Sequence, residues 1–387
     1  MTTVIFGVGA LTVVAAAGAA ALTVGIARFA VTPPSNRIER VRILGHDPVR
    51  GTVTLNSSLD SRLPGRYGLW FSRDSGHARM GGVVSQTPDT VTRELLGVDF
   101  GDIGTAERGR FGGWFHLAPG DLGYPFDSIG IETPLGGAPA WHIPAEGDST
   151  SWVIQVHGRG VRKAEALRAV PVFRSAGYHS LLISWRNDGE APRSEDGLYG
   201  LGSTEWLDVH AALEHVAERG ATEVVLMGWS MGGATVLQTA ANSSLAGLVS
   251  GIVLESPVVD WTPTLIVQAA QRRVPARRGR AVIALIGSRR GYRITGQLAP
   301  IDFRTLDFVL RRDELVVPIL LMHSDDDGFV PSEASAALAV ARPDIVTYRR
   351  WSVARHAKLW NYDPERFDRE ITEWLADLAR RRARSAT

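Results

Sequence analysis

Ser230, Asp327 and His356 are residue types that could together cleave an acyl bond. Ser230 stands in Gly228-Trp229-Ser230-Met231-Gly232, after the run Glu223–Met227 and before the small-residue helical pattern Gly233–Leu237. A serine flanked two residues away on each side by glycine, at a strand-to-helix turn, has the layout of a nucleophile elbow. Such a turn is tight, so Gly228 and Gly232 are expected to lack a Cβ because one would clash. The hydroxyl then sits at a helix N-terminus, where the dipole favours developing negative charge. Asp327 belongs to Ser324-Asp325-Asp326-Asp327-Gly328-Phe329-Val330-Pro331, a loop after the strand candidate Pro318–His323. A carboxylate at the C-terminal end of such a strand faces the same sheet edge as Ser230. Among the three aspartates Asp327 lies closest to the Val330-Pro331 helix entry, which leaves Asp325 and Asp326 as capping, loop-bonding or solvated groups. A calcium loop would need aspartates alternating with other residues and a distal glutamate, which are missing. His356 follows the last strand candidate and precedes the closing helix, so it can serve as the base, and the chain order is Ser230, Asp327, His356.

An acyl carbonyl attacked by Ser230 also needs oxyanion donors. The residue after the nucleophile, Met231, offers its backbone N–H. A second donor is expected from the loop after the strand Trp152–His157, where Gly158-Arg159-Gly160 makes Arg159 the best-placed N–H. His157 and Gly158 then shape the loop. A phosphate cradle is excluded because the further glycines and the lysine are missing.

Composition bounds the rest. Hydrophobic residues at 44% and charged residues at 21% describe a folded chain, and a net charge of +1 gives no global field for nucleic acid. The absence of cysteine removes disulfides, thiolate metal sites and a thiol nucleophile. Val4–Ala27 is a run of 24 residues without a charge. As a helix it would measure about 36 Å, enough for a bilayer core, so it is expected to be a transmembrane helix. Met1-Thr2-Thr3 lacks the basic residues of a signal peptide, which makes export the alternative. Arg28, Arg37, Arg40 and Arg42 on its C-terminal flank place the catalytic body in the cytoplasm.

The elements that must position the site begin after a linker. Residues 1–36 form the span and linker, 37–125 a β-rich accessory segment with no visible catalytic constellation, and 126–387 the catalytic domain. A hairpin over Glu132–Ile143 enters that domain. Strands are expected at Ser151–His157, His179–Trp185, Glu223–Trp229, Gly251–Glu255, Pro318–His323 and Ile345–Arg350. Helices are expected at Lys163–Ser175, Thr204–Arg219, Met231–Asn242, Ser332–Ala341 and Pro364–Arg382. Nearly continuous apolar strands alternating with helices predict an α/β architecture with a parallel sheet buried on both faces. Residues from about 258 to 315 interrupt the alternation with a helical lid carrying eight arginines between Arg272 and Arg293. These fit a solvated face, with anionic lipid or an acidic substrate as sharper readings.

Four pieces carry a resemblance: His157-Gly158-Arg159-Gly160, Gly228–Gly233, His323–Asp327 with Val330-Pro331, and His356 before the final helix. Residues from about 126 to 382 resemble the α/β-hydrolase family, in its esterase and serine-aminopeptidase-like branches. Ser324 stands where that family often has glycine after the histidine. The resemblance implies a mostly parallel sheet of about eight strands flanked by helices, and a Ser-His-Asp mechanism with no cofactor and no metal. The expected substrate is a carboxylic ester of moderate size and lipophilic character, with thioester or peptide cleavage or acyl transfer as alternatives and a non-catalytic tethered binding protein as the rival class. Trp185, Trp229 and the apolar residues of the lid are candidates to line an acyl pocket, although aromatics of this kind more often belong to the core.

Overall fold

In the computed structural model, which describes residues 18–34 and 37–385, the chain opens with a helix, α1, over 18–31. Ala27 and Val31 of α1 are fully buried in the main hydrophobic core, and Phe29 lies against Arg272. The expected span Val4–Ala27 falls outside the described residues up to residue 17. Its remainder is docked on the enzyme body. Among the described residues no helix is long and apolar enough to cross a membrane.

Six antiparallel strands follow: β1 (Val41–Asp47), β2 (Thr52–Asn56), β3 (Tyr67–Phe71), β4 (Gly76–Gln86), β5 (Thr90–Phe100) and β6 (Arg108–Gly112). They pair in the order β1-β2-β5-β4-β3-β6, and β6 returns to β1 to close a barrel. Closure removes both sheet edges, which a small β-rich unit would otherwise leave open to association. Alternate residues such as Val53, Leu55, Leu69 and Phe71 fill the interior. The fully buried Arg93 guanidinium donates to the carbonyls of Ser61, Leu63, Gly65 and Gly81, and lies over the Tyr67 and Phe111 rings. A buried cation needs such a set of acceptors to be tolerated.

The second sheet has eight strands: β7 (Asp127–Thr133), β8 (Gly136–Ile143), β9 (Ser151–Val156), β10 (His179–Ile183), β11 (Glu223–Trp229), β12 (Val249–Glu255), β13 (Ile319–Ser324) and β14 (Val346–Trp351). The order is β14-β13-β12-β11-β9-β10-β8-β7, with β9 to β14 parallel and the β7–β8 hairpin antiparallel at one edge. Residues alternate between the two faces. Val153, Val225, Val253 and Leu320 enter one core, while Ile154, Leu226, Leu254 and Leu321 enter the other. The expected strand ends shift by up to two residues.

One expected helix differs. Lys163–Ala169 is a 3₁₀ segment, and the α-helix α2 covers only Val170–Ser175. Pro171 is the cause: it has no N–H to donate and a ring that clashes with a preceding helical turn, so it begins a helix better than it continues one. The other helices are α3 (Trp206–Ala217), α4 (Met231–Asn242), the helices of the inserted arginine-rich segment α5 (Trp261–Gln271), α6 (Ala276–Gly287) and α7 (Gly291–Thr295), then α8 (Glu333–Ala341), α9 (Leu359–Tyr362) and α10 (Pro364–Ser385).

Candidate active site

Ser230 joins β11 to α4 with φ 51° and ψ −116°, a conformation few L-residues adopt. The two glycines are needed for close approach. A Cβ on Gly228 would lie 2.5 Å from the Gly232 carbonyl oxygen, and one on Gly232 would lie 2.1 Å from that of Val156. The turn is secured from the neighbouring strand, because the Ser230 N–H donates to the Glu255 carbonyl at 3.1 Å and the Val258 N–H to the Ser230 carbonyl at 3.0 Å.

Asp327 follows β13 and His356 follows β14, so tertiary structure brings both to the edge where Ser230 stands. His356 Nε2 lies 2.9 Å from Ser230 Oγ, and His356 Nδ1 lies 2.7 Å from Asp327 Oδ2. Burial by itself would raise the Asp327 carboxyl, but His356 and a hydrogen bond from His323 outweigh it and hold the group well below the usual carboxylate range. Asp327 is therefore an acceptor only, which assigns the proton to His356 Nδ1 and leaves Nε2 free to accept from the Ser230 hydroxyl. The other Asp327 oxygen accepts from the Phe329 and Val330 N–H groups. The Phe329 ring packs 5.1 Å from the His356 ring.

The two other aspartates occupy different surroundings. Asp325 pairs with Arg350 at 2.7 Å near the surface. Asp326 accepts from the Ala354 and Arg355 N–H groups and from Ser324 Oγ, so it pins the loop that presents His356. That loop holds Arg355 (φ 63°) and Ala357 (φ 49°) in the left-handed region on either side of His356. Such strain persists only where neighbours over-determine it.

The loop after β9 passes directly against the serine, since a Cβ on Gly158 would be 3.3 Å from Ser230 Cβ. Gly158 and Arg159 line the same cavity as Ser230 and His356. At the head of α4, the N–H of Met231 belongs to the first turn, where no earlier helical carbonyl is available. His157 is fully buried, with Nδ1 at 2.9 Å from the Gly158 carbonyl, Nε2 at 3.2 Å from Asp188 Oδ2, and its ring stacked on Trp185. Both its nitrogens face acceptors, so it serves the loop's shape.

Residues 153–387 match the model of the alpha/beta hydrolase family, more than half of the chain. The chain belongs to that family. Residues 42–112, the barrel, match a domain of unknown function, DUF8805. No curated protein matches the chain. Among solved structures, an esterase of Pyrococcus furiosus superposes with a TM-score of 0.53 at 16% identity, covering 67% of this chain and 94% of that one. An esterase of a Rhodococcus species gives 0.45 at 19% identity, over 65% and 99%. At these identities the likeness concerns the fold.

Several parts of this hydrolase's site were not read from the sequence. His323 Nε2 faces two acceptors, Asp327 Oδ2 and the Val330 carbonyl, both at 3.1 Å, so it donates to both while Nδ1 accepts from Ser335. Glu255, fully buried, accepts from Trp229 Nε1 and the Leu359 N–H and lies 3.7 Å from Arg168. Arg168 in turn donates to the Ala357 carbonyl and to Asn361. The buried pair thus ties the elbow to the histidine loop from below. The one available signal was a glutamate ending an otherwise apolar strand. Trp185 and Trp229 are fully buried in the core, as aromatic residues of their kind usually are, and do not line the cavity. The β-rich segment supplies a wall instead. Arg110 and Gly112 of β6, then Gly113 and Trp114, line a cavity of about 220 Å³ together with Ser230.

Proposed function

We propose that this chain is a serine hydrolase that cleaves carboxylic esters through an acyl-enzyme. The observation that carries the reading is the hydrogen-bonded chain Ser230 Oγ–His356–Asp327, set on an elbow within an alpha/beta hydrolase. His356 Nε2 takes the proton from Ser230 as Oγ attacks the acyl carbon, and Asp327 balances the imidazolium that forms. The N–H groups of Met231 and Arg159 hold the developing oxyanion. His356 returns the proton to the leaving alcohol. Water then attacks the acyl carbon, with His356 again as base, and Ser230 is released. A cavity of about 220 Å³ suits an acyl group of moderate size.

The uncharged run Val4–Ala27 supports attachment to a membrane, with the hydrolase body on the cytoplasmic side favoured by the arginines that follow. A reporter active on one side of the membrane, fused to the C-terminus, tests this, and activity on the outer side would reverse the orientation.

The catalytic reading is tested by labelling the full chain with a fluorophosphonate probe. Ser230→Ala is expected to lose the label, and His356→Ala to lose most of it. Equal labelling of Ser230→Ala ends the proposal. Turnover of p-nitrophenyl esters of increasing chain length then ranks substrates, and faster cleavage of peptides than of any ester would replace the ester reading.

A further inference from the structure

Residues 29–34 and Arg37 hold the loop that lines the cavity beside Ser230. The Arg159 guanidinium donates through Nη2 to the Phe29 carbonyl at 2.7 Å and to the Thr32 carbonyl at 2.8 Å. These oxygens belong to the end of α1, where carbonyls lack helical partners and a cation meets the negative end of the dipole. The same guanidinium lies between the Phe29 and Tyr199 rings, at 5.6 and 5.5 Å. The Tyr199 N–H donates to the Val31 carbonyl at 2.7 Å. One residue along the loop, the Gly160 carbonyl accepts from Arg37 at 2.6 Å. Gly160 has φ 69°, and a Cβ there would lie 2.5 Å from Pro34 Cγ, so Pro34 sits directly on it. Arg37 is in turn stacked over Trp114 on the cavity wall, 5.1 Å from the ring centroid.

We propose that this N-terminal strap positions the oxyanion loop, with Arg159 and Arg37 as positioning residues, so that the segment before the barrel is a working part of the active site. The inference rests on the reading of Ser230 as nucleophile. Its physical basis is that an oxyanion donor must lie within a fraction of an ångström of its place in the transition state. His157 fixes the start of the loop through the Gly158 carbonyl, but the glycines on both sides of Arg159 leave its tip little rigidity of its own. The strap supplies it through two cations that grip main-chain carbonyls on opposite sides: Arg159 reaches out to the strap, and Arg37 reaches back to the loop. Arg159 thereby has two separate parts, a backbone N–H toward the substrate and a side chain toward α1.

The test uses the full chain and the variants Arg159→Met, Arg159→Lys, Arg37→Met and Arg272→Met. Turnover of p-nitrophenyl butyrate is normalised to active sites titrated to completion with a fluorophosphonate. Arg159→Met and Arg37→Met are each expected to lower kcat per titrated site by about tenfold to hundredfold, with KM changed by less than about threefold. A trifluoromethyl ketone, which reports oxyanion binding, should weaken by a similar factor, and Arg159→Lys should restore part of both losses. Arg272→Met serves as the control: Arg272 packs 4.4 Å from the same Phe29 ring without reaching the loop, and its kcat should stay at the wild-type value. A role in packing alone would lower the melting temperature and leave kcat per site and ketone affinity unchanged, and that result overturns the proposal. Should Arg159→Met fail to fold, Arg37→Met decides. Ser230→Ala separates the two levels. If it keeps the label the catalytic reading itself fails, whereas a silent Ser230→Ala beside fully active arginine variants removes only the strap.

Discussion

Asp327 shares one carboxylate oxygen between His356 and His323, and gives the other to two backbone N–H groups. Asp327→Asn is therefore expected to lower kcat/KM by about 10⁴, because an amide can present its N–H where an acceptor is needed and reverse the His356 tautomer. Asp325→Asn, whose partner is the surface residue Arg350, should stay within about twofold, and Asp326→Asn should fall between them by loosening the loop before His356. Ester kinetics on the three variants check the order, and a larger loss at Asp325 would contradict the assignment. The same carboxylate predicts a pH effect. Its pKa is depressed in the folded protein, so below an unfolded value of about 4 the native state binds fewer protons than the unfolded one. The stability it contributes is present above that pH and lost as pH falls through and below it. In urea titrations the gap between wild type and Asp327→Asn should narrow as pH drops from about 5 to about 3.

At the scale of elements, α10 carries a group that works against the fold. Burial, aided by Glu365 and opposed by Arg66, raises Asp368 to about 6, and its Oδ1 is buried without a hydrogen-bond partner. A raised carboxyl has the opposite sign from Asp327. The folded protein binds the extra proton between about pH 4 and 6, so stability declines as pH rises through that window. Asp368→Asn should gain about 1 kcal/mol at pH 7.5, a figure reduced for the partial exposure of the side chain, and nothing at pH 4. Equal urea midpoints at pH 7.5 would refute the assignment. Elements were also where the sequence was easiest to read. Glu223–Trp229 and Met231–Asn242 have the ends expected from their patterns, since a buried parallel strand and a small-residue helix announce themselves locally. Lys163–Ser175 does not, because Pro171 starts a new helix inside the apolar pattern that suggests a single one.

For the whole molecule, Asn361 joins the barrel to the hydrolase body. Its amide donates to the carbonyls of Arg66 and Gly113, its side-chain oxygen accepts from Arg168, and its own carbonyl accepts from the Arg66 N–H. Nearby, Lys358 reaches Asp60 of the barrel at 2.8 Å, two residues from His356. Gly65, with φ 101°, is forced by the same junction, since a Cβ there would lie 2.0 Å from the Asn361 carbonyl oxygen. Asn361→Ala leaves the Arg66 and Gly113 carbonyls without their side-chain donor and takes one acceptor from Arg168, which keeps the Ala357 carbonyl and Glu255, and is expected to cost about 2–3 kcal/mol. Denaturant unfolding measures this, and an unchanged midpoint would mean that the barrel is not tied to the body through Asn361. The variant should also slow ester turnover, because the barrel supplies Trp114 and Arg110 to the cavity wall.

What the sequence alone determined is local: the elbow at Ser230, the alternation of strands and helices, and the order in which serine, aspartate and histidine each follow the end of a strand. Each is governed by residues a few positions apart, through glycine spacing, apolar periodicity or strand ends. Tertiary structure decided what depends on residues far apart in the chain. It closed the β-rich segment by pairing Val41 with Gly109, brought Trp114 to the cavity beside Ser230, and turned the end of α1, just past the apolar N-terminal run, onto Arg159. Composition could mark that run as apolar, and burial against a membrane and burial against the enzyme body ask for the same side chains. Only the placement of its last turn, with two carbonyls held by one guanidinium, distinguishes them for the residues from 18 onward.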